Sequence, residues 1–298
     1  ADGADFVLVL SHLGVEDEKK LADQAPPEVL AILGGHSHTP LNPPWRSDKT
    51  GIVVMQSGSK TSGIDHLVIE ATADGYKITD GKLVPLGKES WPENMEVNDV
   101  IRRYSPTIDA LMTREVGSCP VALRRVRGKA RSSSLGNWIT DVMRVAAGAD
   151  VALHNKTGIR ANLEAGTVSV RSLYEVAPFD NTIVVVELTG AQLKELLDHA
   201  AGDGRTLLEA SNIRLKFDTD AEPGQRVVEL KVGGTAVDPR KVYKVATNSF
   251  LASGGDGHGI FTRGPQSTDG KLLRDALIDH LESGGKCSAD KTSRIIDK

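Results

Sequence analysis

Two short apolar runs that each end in histidine constrain this chain more than any other feature. Asp5-Phe6-Val7-Leu8-Val9 leads into Leu10-Ser11-His12-Leu13-Gly14, and Val29-Leu30-Ala31-Ile32-Leu33 leads into Gly34-Gly35-His36-Ser37-His38-Thr39. Continuous apolar runs of this length, bounded by glycine, read as fully buried strands. Buried strands belong to an open α/β sheet, which collects its chemistry at the strand ends. Neutral imidazole is the commonest protein metal ligand, so His12, His36 and His38 read as candidate ligands of one site. The plainer reading of each, a polar residue closing a strand, loses ground because three of them fall in two matching contexts.

The rest of the chain extends this pattern. Residues 1–93 read as strands alternating with one helix, Val15 to Gln24, which opens on Glu16, Asp17 and Glu18 and stops at Pro26-Pro27. Ile52-Val53-Val54-Met55 is a further buried strand. His66 to Glu70 and Tyr76 to Thr79 form a hairpin around Asp74-Gly75. Residues 94–115 read as a linking helix, which Pro106 should kink or break. Residues 116–298 read as a second domain. It has a helix near Leu135 to Ala147, strands at Val151–Leu153, Ile183–Leu188, Ile213–Phe217 and Val228–Val232, a helix opening at Thr189-Gly190, and a last helix from Gly270 to Leu281.

At 298 residues the chain can bury two cores. Its net charge of -4 argues against bulk electrostatic binding to DNA or RNA, while a local arginine cluster could still hold a small anion. No apolar run reaches the length of a membrane span. Cys119 and Cys287 are the only cysteines, and their pairing is left open by sequence. Aromatic residues make up only 4% of the chain, which draws attention to phenylalanines in polar, glycine-rich surroundings.

The two histidine motifs resemble the last two metal-binding motifs of the calcineurin-like metallophosphoesterases. Four later segments narrow the resemblance to the 5′-nucleotidase family: Leu135-Gly136-Asn137-Trp138-Ile139-Thr140-Asp141; Asn155-Lys156-Thr157-Gly158-Ile159-Arg160; Pro178-Phe179-Asp180-Asn181-Thr182 with Leu188-Thr189-Gly190; and Phe250-Leu251-Ala252-Ser253-Gly254-Gly255-Asp256-Gly257. They run in family order over nearly the whole chain. The resemblance implies an α/β metallophosphoesterase sandwich, here partial, followed by an α+β 5′-nucleotidase C-terminal domain.

Its functional implication is metal-dependent hydrolysis of nucleotide phosphate esters, of 5′-nucleotidase or 2′,3′-cyclic phosphodiesterase type, within nucleotide catabolism. Two divalent ions, zinc, manganese or similar, would serve the complete enzyme. His12 and His36 would bind one ion and His38 the other, with Gln56 lining the site. Phe179 and Phe250 match the family's base-stacking pair, Asp256 the acceptor for ribose hydroxyls, and Asn155 and Arg160 its substrate contacts. Arg131 is a further phosphate contact and Lys129 a weaker one. The family is mostly periplasmic or extracellular, which tips the expectation toward export.

Two departures accompany the match. The family's earlier Asp-x-His, Gly-Asp and Gly-Asn-His motifs are absent, so the catalytic residues are expected in a missing N-terminal part, and a non-catalytic nucleotide-binding fragment is the alternative function. Lys156 and Thr157 stand where the family commonly has glycine, which should reshape the pocket. Two other readings carry less weight. Ser57-Gly58-Ser59-Lys60 and Lys156-Thr157-Gly158 have the spacing of β-lactam-recognising enzymes but lack the motif between them. Arg124-Arg125-Val126-Arg127 could suggest RNA but has no interleaved aromatics.

Overall fold

A computed structural model of the chain describes residues 3–73, 75–87, 91–126, 132–202, 208–287 and 290–298. It divides into two compact units, Ala1–Ile101 and Arg102–Lys298.

The first unit is built on β1 (Val7–Leu10), α1 (Val15–Ala22), β2 (Val29–Leu33), β3 (Trp45–Arg46) and β4 (Val53–Met55). The strands form one sheet in the order β1-β2-β4-β3, in which β1, β2 and β4 are parallel and β3 is an antiparallel edge. Both faces of β2 and β4 are covered. Ile32 and Val54 pack with Ala22 of α1 on one side, while Ala31, Val53 and Met55 form a separate cluster on the other. Such double burial is why β2 and β4 read as continuous apolar runs instead of alternating ones, whereas β1, read from sequence as equally buried, stands at the end of this sheet among the described residues with Val7, Leu8 and Leu10 exposed. A long hairpin follows, β5 (Gly63–Thr72) and β6 (Gly75–Pro85), and is longer at both ends than its sequence pattern predicts. Helix α2 (Met95–Met112) continues past Pro106, where sequence suggests a break. Proline lacks its own N–H and its ring crowds the carbonyl four residues earlier, a local cost that this helix bears without ending.

The second unit contains β7 (Glu115–Cys119), α3 (Ser134–Ala146), β8 (Val151–Asn155), β9 (Gly166–Ser169), α4 (Val170–Val176), β10 (Ile183–Thr189), α5 (Gly190–Gly202), β11 (Leu208–Ser211), β12 (Ile213–Phe217), β13 (Val227–Val232), β14 (Thr235–Ala236), β15 (Val242–Asn248), α6 (Ser249–Ala252), β16 (Gln266–Ser267), α7 (Leu273–Glu282) and β17 (Ile295–Asp297). Its central mixed sheet has the order β11-β8-β15-β10-β16. Strand alternation sends side chains to two different cores. Ala152, Ile183 and Ala246 face a cluster that includes Leu135, Trp138 and Ile139 of α3 and Leu277 of α7. Val151, Leu153, Val186 and Val245 face a second, which includes Leu193, Leu196 and Leu197 of α5 and Leu215 and Phe217 of β12. The smaller sheet β14-β13-β12-β17 closes that second core.

Cys119 and Cys287 form a disulfide across a sequence separation of 168 residues. Capping explains several helix starts. Ser133 accepts a hydrogen bond from the Gly136 amide at 2.9 Å, and Ser169 forms a capping box with Ser172. The cap of α6 is Asn248, whose Oδ1 accepts from the Leu251 amide at 2.9 Å.

Candidate functional site

His12 follows β1 and His36 follows β2, at the same end of two adjacent parallel strands. Their rings meet edge to face with centroids 5.2 Å apart. His36 and His38 both adopt left-handed backbone conformations, with φ of 68° and 56°. Non-glycine residues rarely hold such angles unless the surroundings impose them.

The surroundings here centre on Glu18, a buried carboxylate of α1. Its Oε1 accepts from Ser11 Oγ at 3.0 Å and from the amides of Gly14 and Gly35, both at 3.2 Å. Its Oε2 accepts from Gln56 Nε2 at 3.1 Å. Gln56 in turn donates to the Gly35 carbonyl at 2.7 Å and accepts from Ser37 Oγ and the Thr39 amide, both at 2.8 Å. Glu18 and Gln56 thereby tie both histidine loops together. A side chain at position 34 would overlap the Glu18 carboxylate, which is why glycine stands there. Gln56 carries a framing role, and its side-chain donors and acceptors are engaged within the protein. Sequence reasoning passed over Glu18 as one of three helix-start acids. Its i, i+3 spacing from buried Val15 was the available signal.

The donor chemistry of these loops suits a divalent ion in part. Two imidazoles stand side by side, held from behind by a complete polar network. Among the described residues, however, no group of three or more His, Cys, Asp or Glu side chains is assembled to hold a metal. The three histidines thus do not constitute a closed three-donor cage.

In the second unit, Phe179 and Phe250 are 47% and 42% exposed, which removes core packing as the explanation for either ring. Phe250 lies in the short helix α6, where sequence suggested a loop. Its ring covers Gly255: a Cβ there would come within 2.5 Å of it. Gly254, with φ of 91°, makes the turn that brings Gly255 under the ring. Phe179 is placed by buried Arg274, which donates to the Ala177 carbonyl at 3.1 Å and to Asp180 Oδ1 at 2.6 Å and stacks on Tyr174 at 3.6 Å. The segments bearing the two phenylalanines are joined, since the Ser249 amide donates to the Thr182 carbonyl at 2.9 Å.

Arg160 is exposed, lies 5.9 Å from the Phe179 ring centre and donates to the Thr157 carbonyl at 3.1 Å. Asp256, in a left-handed conformation with φ of 52°, accepts on Oδ2 from Asn155 Nδ2 and Thr157 Oγ1, both at 2.9 Å. Asn155 is buried. Its second amide hydrogen goes to Thr157 Oγ1 at 2.7 Å, and its Oδ1 accepts from Asn248 Nδ2 at 2.9 Å. Phe179, Arg160, Thr157, Asp256 and Phe250 are therefore linked in one contiguous group, with Asn155 and Asn248 beneath it. Arg131 and Lys129 lie outside the described residues.

Lys156 is buried against Glu209, with Nζ 2.9 Å from Oε1, and Glu209 also accepts from the Ser133 amide and hydroxyl. Where the family has glycine, this chain thus carries an internal ion pair and an exposed hydroxyl. Of the arginine run, Arg124 pairs with Glu164 and Arg125 donates to the Ile159 carbonyl at 2.7 Å. Both side chains are engaged within the protein, and Arg127 lies outside the described residues.

A family profile described as 5′-nucleotidase, C-terminal domain, matches residues 115–263, half of the chain. The chain belongs to the 5′-nucleotidase family. It is 30% identical over 317 residues to the 5′-nucleotidase of Homo sapiens, covering 92% of this chain and 53% of that protein. It is 28% identical over 310 residues to a trifunctional nucleotide phosphoesterase of Bacillus subtilis, covering 97% of this chain and 21% of that protein. The crystal structure of a 5′-nucleotidase precursor from Thermus thermophilus superposes with a TM-score of 0.77 at 29% identity, over 99% of this chain and 64% of that one. The chain thus spans between about a fifth and two thirds of these relatives.

Proposed function

We propose that this chain supplies the nucleotide-binding domain, and a histidine-bearing part of the metal domain, of a metal-dependent hydrolase acting on nucleotide phosphate esters. The observation that carries the proposal is the contiguous group of Phe179, Arg160, Asp256 and Phe250. It combines two half-exposed aromatic rings, a carboxylate and a guanidinium, the chemistry needed for a base, a sugar and a phosphate.

The aromatic faces hold the base by stacking. Asp256, fixed in orientation by Asn155, accepts from sugar hydroxyls. Arg160 offers its planar fork to the phosphoryl group. His12, His36 and His38 are the residues of this chain that would hold divalent ions, with further ligands completing the set. Such ions supply a nucleophilic water and neutralise phosphoryl charge. The disulfide supports an oxidising location such as a periplasm or cell exterior. Among the described residues, no helix is long and apolar enough to cross a membrane.

Calorimetry of the whole chain with adenosine and AMP tests the substrate assignment. Phe250→Ala should cost roughly 1–3 kcal/mol of adenosine affinity. Arg160→Ala should spare adenosine and weaken AMP. Unchanged adenosine binding in the Phe250→Ala protein would overturn the stacking role.

The absence of a three-donor metal cluster among the described residues favours one second reading, a nucleotide binder without turnover. AMP hydrolysis measured with added manganese, on this chain and on a chain extended at its front by the family's earlier metal motifs, separates the two. Turnover on the order of 1–10³ s⁻¹ in the extended chain marks the hydrolase, and binding without turnover in both marks the second reading.

A further inference from the structure

Thr157 is the one side chain of the nucleotide group that the family resemblance does not supply. Its backbone sits in the turn Lys156–Gly158, directly after β8, and its side chain is exposed beside Asp256. Its hydroxyl has one proton and two lone pairs. The proton goes to Asp256 Oδ2 at 2.9 Å, and one lone pair accepts from Asn155 Nδ2 at 2.7 Å. One acceptor site remains on the hydroxyl of this exposed residue.

Asp256 shows a matching asymmetry. The hydrogen bonds from Asn155 and Thr157 both fall on Oδ2, and among the described residues none reaches Oδ1. The carboxylate and the hydroxyl therefore present two neighbouring acceptors, Asp256 Oδ1 and Thr157 Oγ1, each with capacity for one more donor. The pair is held in register from below. Asn155 is bonded to Asn248, and Asn248 caps the helix that carries Phe250.

Two adjacent acceptors fit two adjacent hydroxyl donors. We infer that Thr157 and Asp256 together read the vicinal diol of a ribose, one hydroxyl each, so that this site selects ribonucleotides over deoxyribonucleotides. Glycine at position 157 would leave the carboxylate to meet the sugar alone. The inference rests on the assignment of this group as a nucleoside site.

Its test is calorimetric titration of the whole chain with adenosine, 2′-deoxyadenosine and 3′-deoxyadenosine, on the wild type, Thr157→Val and Thr157→Ser. In the wild type, loss of the hydroxyl read by Thr157 should weaken binding roughly three- to tenfold, the worth of one neutral hydrogen bond, and loss of the hydroxyl read by the Asp256 carboxylate roughly ten- to a hundredfold, the worth of one to a charged group. Thr157→Val keeps the shape and removes the acceptor. Adenosine should then bind roughly three- to tenfold more weakly, and one deoxy analogue should bind as well as adenosine while the other keeps its deficit. Thr157→Ser should restore the wild-type pattern. Thermal midpoints should match throughout, because the side chain is exposed.

If Thr157→Val retains both deficits, Thr157 reads nothing. If both deficits vanish, it merely positions Asp256. Either result overturns the inference alone. If the wild type binds no adenosine, the nucleoside assignment itself fails and the inference falls with it.

Discussion

Acidification should destabilise the second unit through His154, the residue just before Asn155 on β8. The imidazole is 2% exposed and fills the space under Gly158, where an added Cβ would come within 2.7 Å of the ring. Nδ1 lies 2.8 Å from the Asn155 carbonyl, and since a carbonyl oxygen only accepts, Nδ1 carries the proton of the neutral ring. Burial pushes His154 down to about 4 from its ordinary 6.5, against weaker upward pulls from the Asn155 carbonyl and the Asp256 carboxylate. Unfolded, the ring takes up its proton near 6.5; folded, it resists until about pH 4. Between those values the unfolded chain binds the extra proton, so this contribution is complete above 6.5 and is lost as pH falls toward 4. A gap of about 2.5 pH units at about 1.4 kcal/mol per unit gives about 3.5 kcal/mol in full, of which about 3 kcal/mol is lost by pH 4. His154→Asn preserves a donor near Nδ1 and cannot titrate. Urea unfolding should show the wild type losing about 3 kcal/mol more than this variant between pH 7 and pH 4. Parallel pH profiles for the two proteins would refute the argument.

Three further outcomes follow from buried groups. Reduction of the Cys119–Cys287 bridge, which spans a separation of 168 residues, should lower unfolding stability by about 2–5 kcal/mol, read as a shift in denaturant midpoint; an unmoved midpoint contradicts it. Glu18→Ala strands the Gly14 and Gly35 amides, so both should exchange hydrogen far faster, and unchanged protection would show that Glu18 does not hold the loops. Lys156→Met leaves the Glu209 charge unpaired and should cost about 3–5 kcal/mol, most of it recovered in the double variant with Glu209→Gln; an uncorrected double variant would speak against the ion pair as the cause.

The parts of this fold that sequence made legible are those governed by short-range pattern. Strands β1, β2, β4, β10 and β12 declared themselves through apolar runs or alternation, and α3 through its apolar face. Strands β7, β9 and β11 did not. Glu115–Cys119 contains a glycine and a serine, and Leu208–Ser211 contains Glu209, whose burial depends on Lys156 more than fifty residues away. A carboxylate in a short segment reads as surface until its partner is known. The pairing of Cys119 with Cys287 was open for the same reason, since only the packing of β7 near the end of α7 sets their distance.

The site shows the same division more sharply. Phe179, Phe250, Arg160 and Asp256 could be picked out because they sit in short motifs that resemble those of the family. What holds them could not. Arg274 fixes the Phe179 turn from the far end of the chain, and Asn248 joins the cap of α6 to Asn155. Glu18 and Gln56 do the equivalent work behind His12 and His36. Each supporting residue is a polar side chain made burial-tolerant by partners distant in sequence. Asn155 crosses the line between the two classes: its motif suggests a ligand contact, yet both of its amide hydrogens are committed to Thr157 and Asp256. What it does in this structure is hold the Asp256 carboxylate in place. Lys156 acts where a motif match is least informative, in the buried layer, through its ion pair with Glu209 beneath the turn that carries Thr157.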